Sequence, residues 1–124
     1  MTSADSNPCL PRNVQLRHKN DYSYVYANGV RVSGKYLRIV AAKSTQDIGA
    51  RMGLSVSRKF DKSAVKRNRV RRVLRAAFRL QQKSLPNLDM VLIPTRNDRS
   101  YRTPIIEDEL VELCSKAVAK FSKD

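Results

Sequence analysis

The stretch Arg51–Lys83, RMGLSVSRKFDKSAVKRNRVRRVLRAAFRLQQK, places the tightest limit on what this chain can fold into. It carries 12 of the chain's 25 Lys and Arg residues but a single acid, Asp61. In its second half Val70, Val73, Leu74, Ala77 and Leu80 recur at three- and four-residue steps. At about 100° per residue they fall into one stripe, as a core-facing helix requires. The opposite arc carries Asn68, Arg69, Arg71, Arg72, Arg75, Arg79 and Lys83. The chain must therefore supply a core on one side of this helix and leave a ladder of cations on the other.

A solvated helix face usually mixes signs, so that neighbours form ion pairs. Here the i, i+4 neighbours Arg67/Arg71, Arg71/Arg75 and Arg75/Arg79 repel, each pair costing about 0.2–0.5 kcal/mol. Arginine also outnumbers lysine, which suits forked recognition of phosphate. Both features point to a polyanionic partner. The net charge of +14 is concentrated accordingly: residues 1–50 hold seven bases and three acids, and residues 84–124 hold six and seven. One sign-asymmetric face is the electrostatic footprint of nucleic-acid binding.

Length and composition fit one domain with its own core, over residues 16–124, behind a loose tail at 1–15. No apolar run approaches the roughly 20 residues of a membrane span. The start, MTSADSNPCLPRN, lacks the apolar core of a secretory signal. Cys9 and Cys114 are isolated thiols that form neither a disulfide framework nor a metal motif. A cytoplasmic protein with no membrane partner is expected.

Along the chain, Asn20 and Asp21 suit the start of a short helix carrying Tyr22, Val25 and Tyr26, with Gly29 as a left-handed terminator. Tyr36–Ala42 alternates with period two: Leu37, Ile39 and Ala41 face one way, and Tyr36, Arg38, Val40 and Ala42 the other. Met52, Leu54 and Val56 give a second strand, and the two read as an antiparallel hairpin. Asp61 or Ser63 caps the basic helix, which runs to about Lys83 before Pro86. Leu88–Ile93 is short and nearly all apolar, a strand buried on both faces. Thr103-Pro104 opens a last helix, buried through Ile106, Leu110, Leu113, Cys114, Ala117 and Phe121.

Catalytic chemistry is missing. The lone His18 lies between Arg17 and Lys19, an expected RNA contact and not a general base. The sequence has no phosphate-cradling glycine loop and no metal-ligand spacing. A protein nuclease is disfavoured on that ground. A DNA-binding helix-turn-helix would need a short helix before the basic one, where a strand is read instead. A ribosomal or general RNA-binding protein shares the charge and differs only in whether the order of the basic residues matters.

GLSVSRKFDKSAVKRNRVRRVLRAAFR resembles the signature of the bacterial ribonuclease P protein family: a G-L-x-V strand, a basic turn, then a helix with an R-N-R-x-[KR]-R-x-x-R core. The core is complete here from Arg67 to Arg75. LRHKNDYSYVYANG resembles that family's first helix, and LPNLDMVLI its last strand. The resemblance implies an α/β (α+β) fold in the order αβββαβα, with a mixed sheet and a left-handed βαβ crossover through the basic helix. It places a third, short strand near Val30–Ser33.

It also implies a function: binding a catalytic RNA and the 5′ leader of precursor tRNA while that RNA, with its own Mg²⁺, removes the leader. No DNA partner is implied. Carried over by motif, the RNA-binding residues are Arg58, Lys59, Lys66, Arg67, Asn68, Arg69, Arg71, Arg72 and Arg75. Tyr22, Tyr26, Tyr36, Arg38 and Val40 would line a leader cleft. Val40 departs from the family pattern, which often has an aromatic there.

Overall fold

The computed structural model describes residues 15–16, 19–44, 49–95 and 101–123. His18, the 1–14 part of the tail and the 97–100 loop lie outside the described residues. Helix α1 (Lys19–Asn28) leads into strands β1 (Val30–Ser33), β2 (Leu37–Lys43) and β3 (Arg51–Leu54). Helix α2 (Ala64–Gln81), strand β4 (Leu88–Pro94) and helix α3 (Thr103–Lys123) complete the order αβββαβα.

The strands form one mixed sheet in the order β1-β2-β4-β3. β1 and β2 make the hairpin, antiparallel from Val30↔Ala41 to Ser33↔Arg38. β4 runs antiparallel to β2 and parallel to β3, with Leu37↔Pro94 and Arg51↔Asp89 in register. The hairpin expected between β2 and β3 therefore does not form, because β4 lies between them. Its apolar residues on both faces make it the strand best suited to the sheet's interior. β3 and β4 are the parallel pair bridged by α2.

Two cores hold three layers together. The larger lies between the sheet and helices α2 and α3. It packs Leu37, Ile39, Met52, Met90 and Leu92 against Leu74, Phe78, Ile106, Leu110 and Leu113. The smaller lies under α1 and contains Leu16, Val25, Val40, Ala42 and Val91. Both faces of β2 are thus apolar near its C-terminal end, while Arg31 and Ser33 on edge strand β1 stay exposed. Gln15 bridges to Met52, so the sheet reaches into the stretch expected to be tail.

Two local expectations are corrected. In α2 the buried stripe is Val70, Leu74, Ala77 and Phe78, with Val73 at its margin, whereas Leu80 is 52% exposed. Phe78 lies closer to the mean direction of the other three on the helix than Leu80 does. Gly29 does not end α1 in a left-handed conformation: among the described residues only Gly49 has positive φ, at 93°. Gly29 is needed for space, since a β-carbon there would stand 2.5 Å from the Val25 carbonyl oxygen and 2.9 Å from Val40 Cγ1.

Candidate nucleic-acid interface

The basic face is built from the β3–α2 loop upward. Val56 is buried and Phe60 packs on the main core, its ring edge-on to Tyr101 at 6.1 Å. Between these anchors the chain turns tightly, the Phe60 amide donating to the Ser57 carbonyl over 3.0 Å. Arg58 and Lys59 form the exposed apex. Asp61 accepts from the Ser63 amide and Ser63 Oγ accepts from the Lys66 amide, so Ser63 is the N-cap. The loop and the helix start are locked together by short-range hydrogen bonds.

On α2, Lys66, Asn68, Arg69, Arg72 and Arg75 are exposed. Among the described residues no carboxylate pairs with any α2 cation. Arg67 and Arg71 behave differently from their neighbours. Both are half-buried. Arg67 Nη1 donates to the carbonyls of Asp61 (2.9 Å) and Lys62 (3.1 Å). Arg71 donates from Nη1 to Asn68 Oδ1 (2.8 Å) and from Nη2 to the Val56 carbonyl (3.1 Å). A guanidinium only donates, so the Asn68 amide must offer its oxygen here and keeps its two N–H donors for an external acceptor. Arg79, expected on the cation ladder, is half-buried as well.

A second surface lies on the opposite face of the sheet. Strand alternation and register put Ser33, Arg38 and Ile93 in one row on that face, and Arg31, Val40, Val91 and Gly53 in the next. Ser55 continues the first row, its amide donating to the Leu92 carbonyl. Helix α1 covers the second row from Val40 to Gly53, leaving Arg31 exposed: Val25 packs with Val40 and Val91, and the Tyr22 ring lies on Gly53. The first row remains as a floor running from Ser33 and Arg38 on one side to Ser55, where the basic loop begins. Tyr26 is 38% exposed and Tyr22 half-buried on the helix above.

Two of the five expected cleft residues are not there. Val40 is on the correct strand face but is buried beneath α1. Tyr36 belongs to the main core on the other side of the sheet, edge-on to Tyr101 with ring centroids 5.4 Å apart. The alternation read over Tyr36–Ala42 fails at its first residue, because β2 begins only at Leu37 and Tyr36 precedes it. Tyr22, Tyr26 and Arg38 are brought to one side of the sheet. Ile93 and Ser55 join them, although the sequence reading passed over both; their signal was the strand register, which periodicity alone does not supply.

One buried charge pair lies on this same sheet face. Arg51 donates from Nε and Nη2 to the two carboxylate oxygens of Asp89, at 2.9 and 2.6 Å. The hydrogen bond to Asp89 raises the Arg51 pKa against the opposing effect of burial, with Asp89 and Asp21 adding attraction. Arg51 is therefore an internal cation and not part of the basic face. Among the described residues no group of three His, Cys, Asp or Glu side chains could hold a metal ion, and no helix is long and apolar enough to cross a membrane.

A family model for ribonuclease P matches residues 10–118. This chain belongs to the ribonuclease P protein family. The ribonuclease P protein component of Xanthomonas oryzae pv. oryzae is 36% identical over 116 residues, spanning 92% of this chain and 79% of that protein. That of Finegoldia magna is 34% identical over 112 residues, spanning 90% and 96%. The solved ribonuclease P protein from Thermotoga maritima superposes with a TM-score of 0.71 at 25% identity, covering 82% of this chain and 96% of that one. As a ribonuclease P protein the chain is one component of a ribonucleoprotein endoribonuclease, with RNA as its partner.

Proposed function

We propose that the α2 face binds the catalytic RNA of ribonuclease P and that the groove beside α1 holds the single-stranded 5′ leader of precursor tRNA. The observation that carries this reading is the continuity of the two surfaces. Ser55 ends the groove floor and begins the loop whose apex is Arg58 and Lys59. A strand lying along Ser33, Arg38, Ile93 and Ser55 would leave the groove directly into the cationic field of α2.

Each part has a physical role. Lys66, Arg69, Arg72 and Arg75 are exposed cations on a rigid helix, so phosphates can displace their counterions without reordering the backbone. Arg38 offers a fork for a leader phosphate, and the exposed Tyr26 ring offers a face for a base to stack on. Hydrolysis belongs to the RNA and its Mg²⁺ in this reading. The protein's described residues do not fit a Mg²⁺ site, so no catalytic step is assigned to them. The particle works in the cytoplasm, a setting that suits the free thiol Cys114.

The test is a binding titration against the catalytic RNA at several salt concentrations, with precursor and mature tRNA then added to the complex. Log affinity should fall linearly with log salt, and Arg72→Gln or Arg75→Gln should each reduce that slope by about one. The complex should prefer the precursor. A flat salt dependence, or equal binding of precursor and mature tRNA, would refute the corresponding half of the proposal.

A further inference from the structure

We infer that Arg67 and Arg71, the first and fifth residues of the R-N-R core, are positioning residues that hold the 55–63 loop in place to present Arg58 and Lys59. They are not themselves the principal phosphate contacts. The inference rests on the proposed binding of the catalytic RNA and assigns two of its basic residues a different role.

The geometry is a clasp closed from both ends. Arg71 reaches back to the Val56 carbonyl, where the chain leaves the sheet. Arg67 reaches the carbonyls of Asp61 and Lys62, where the chain approaches the helix. The four residues between these grips, 57–60, contain the whole turn and its exposed apex. Three backbone carbonyls that a loop would otherwise leave to water are thereby bonded to cationic donors, which make stronger bonds than neutral ones. Asn68 orients the Arg71 fork by accepting at Oδ1.

The Arg71 contacts also explain why that position is arginine. A lysine ammonium is a compact point charge without a planar fork. It cannot bond Asn68 Oδ1 and the Val56 carbonyl with two separated nitrogens in one plane. Neither arginine is neutralised, because its partners are carbonyls and an amide. Both still contribute to the positive field while their donors are occupied at home. The neighbouring exposed cations Arg69, Arg72 and Arg75 carry no such internal bonds among the described residues.

The decisive variants are Arg71→Lys, which keeps the net charge but loses the two-nitrogen fork, and Arg67→Ala, which removes both carbonyl bonds. Hydrogen exchange of the RNA-free protein at residues 56–63 should be about tenfold faster in either variant, with exchange in β2 and α3 unchanged. Affinity for the catalytic RNA should fall about fivefold for Arg71→Lys, the scale of one lost hydrogen bond. In an Arg58→Gln/Lys59→Gln background the same substitution should cost nothing further. A contribution made through the loop disappears when the loop's cations are gone, whereas a general loss of stability would remain additive. The salt slope should stay the same in Arg71→Lys.

The inference is overturned if loop exchange is unchanged, if Arg71→Lys binds like the native protein, or if its cost persists in the loop-neutral background. Failure of the native protein to bind the RNA would instead overturn the proposed function, and the exchange measurement would still decide whether the clasp exists.

Discussion

The Tyr22 ring lies directly on the backbone of Gly53: a β-carbon added at Gly53 would stand 2.6 Å from both Cζ and Oη of the tyrosine. The glycine of the G-L-x-V segment is thus a flat seat for an aromatic ring delivered by α1. Helix α1 and strand β3 are far apart in sequence, and this contact fixes how the helix lies over the sheet.

Gly53→Ala should therefore act through Tyr22. The added methyl group pushes the ring off its seat, with a destabilisation of about 1–3 kcal/mol, typical of an overpacked site. The expected outcome is a reduced preference for precursor over mature tRNA with affinity for the catalytic RNA retained. Competition binding between the two tRNAs checks it. If the preference is unchanged in folded Gly53→Ala protein, the seat has no part in shaping the groove.

Element types were largely legible because their periods are physical. The α2 stripe, the β2 alternation and the doubly buried β4 all follow from which face must leave water. Partners were not legible. The period-two pattern of β2 is equally satisfied by β3 or β4 beside it, and only the assembled sheet decides. Tyr36 shows the same limit at one residue, since alternation extrapolated past a strand end assigned it to the wrong face. Arg67 and Arg71 show it again: a helical wheel gives a direction but not the loop that returns to meet it. Asp89 did carry a readable signal. One acid in a strand buried on both faces requires a cationic partner, and Arg51 stands opposite it in register.

The Arg51–Asp89 pair should be costly to break and cheap to replace. Asp89→Ala leaves a guanidinium buried without its carboxylate, a loss of about 3–5 kcal/mol. The double replacement Arg51→Met/Asp89→Leu should recover much of that loss. Because the folded-state pKa of Arg51 is raised, its contribution is present at all pH values below the ordinary arginine range. It is lost only as pH climbs beyond that range, so arginine titration will not alter the penalty between pH 6 and 9. Urea denaturation of the native, single and double variants across that interval gives the comparison. A single variant as stable as the native protein would show that the pair is dispensable.

Cys114 supplies an alkaline signature. Burial pushes its thiol from an ordinary 9.0 up to about 12. A raised folded-state value means stability that is fully present below the ordinary thiol range and lost as pH rises towards the folded value. In a Cys9→Ser background, the protein should lose stability relative to its Cys114→Ala variant by about 1.4 kcal/mol per pH unit above the unfolded value. Denaturation midpoints from pH 8 to 10.5 measure that difference. Alkylation at pH 8 should likewise be slow until denaturant is added; rapid labelling of the native protein would contradict the burial.

Tyr26 and Arg38 allow the groove to be tested without disturbing the core. Tyr26 is partly exposed and Arg38 stands on the open floor, so Tyr26→Ala and Arg38→Ala should each change stability by less than about 1 kcal/mol. Stacking of one base on an aromatic side chain is worth about 1–3 kcal/mol, so Tyr26→Ala should lower affinity for the precursor by about five- to a hundredfold. Mature tRNA, which has no leader, should bind as before. Tyr36→Ala is the contrasting case. Its ring is buried against Tyr101, and truncation should cost about 3–5 kcal/mol of folding stability. Any effect it has on the tRNAs should fall on precursor and mature forms alike. Thermal midpoints measured beside the two affinities separate these outcomes, and a selective loss of precursor binding in folded Tyr36→Ala protein would return Tyr36 to the groove.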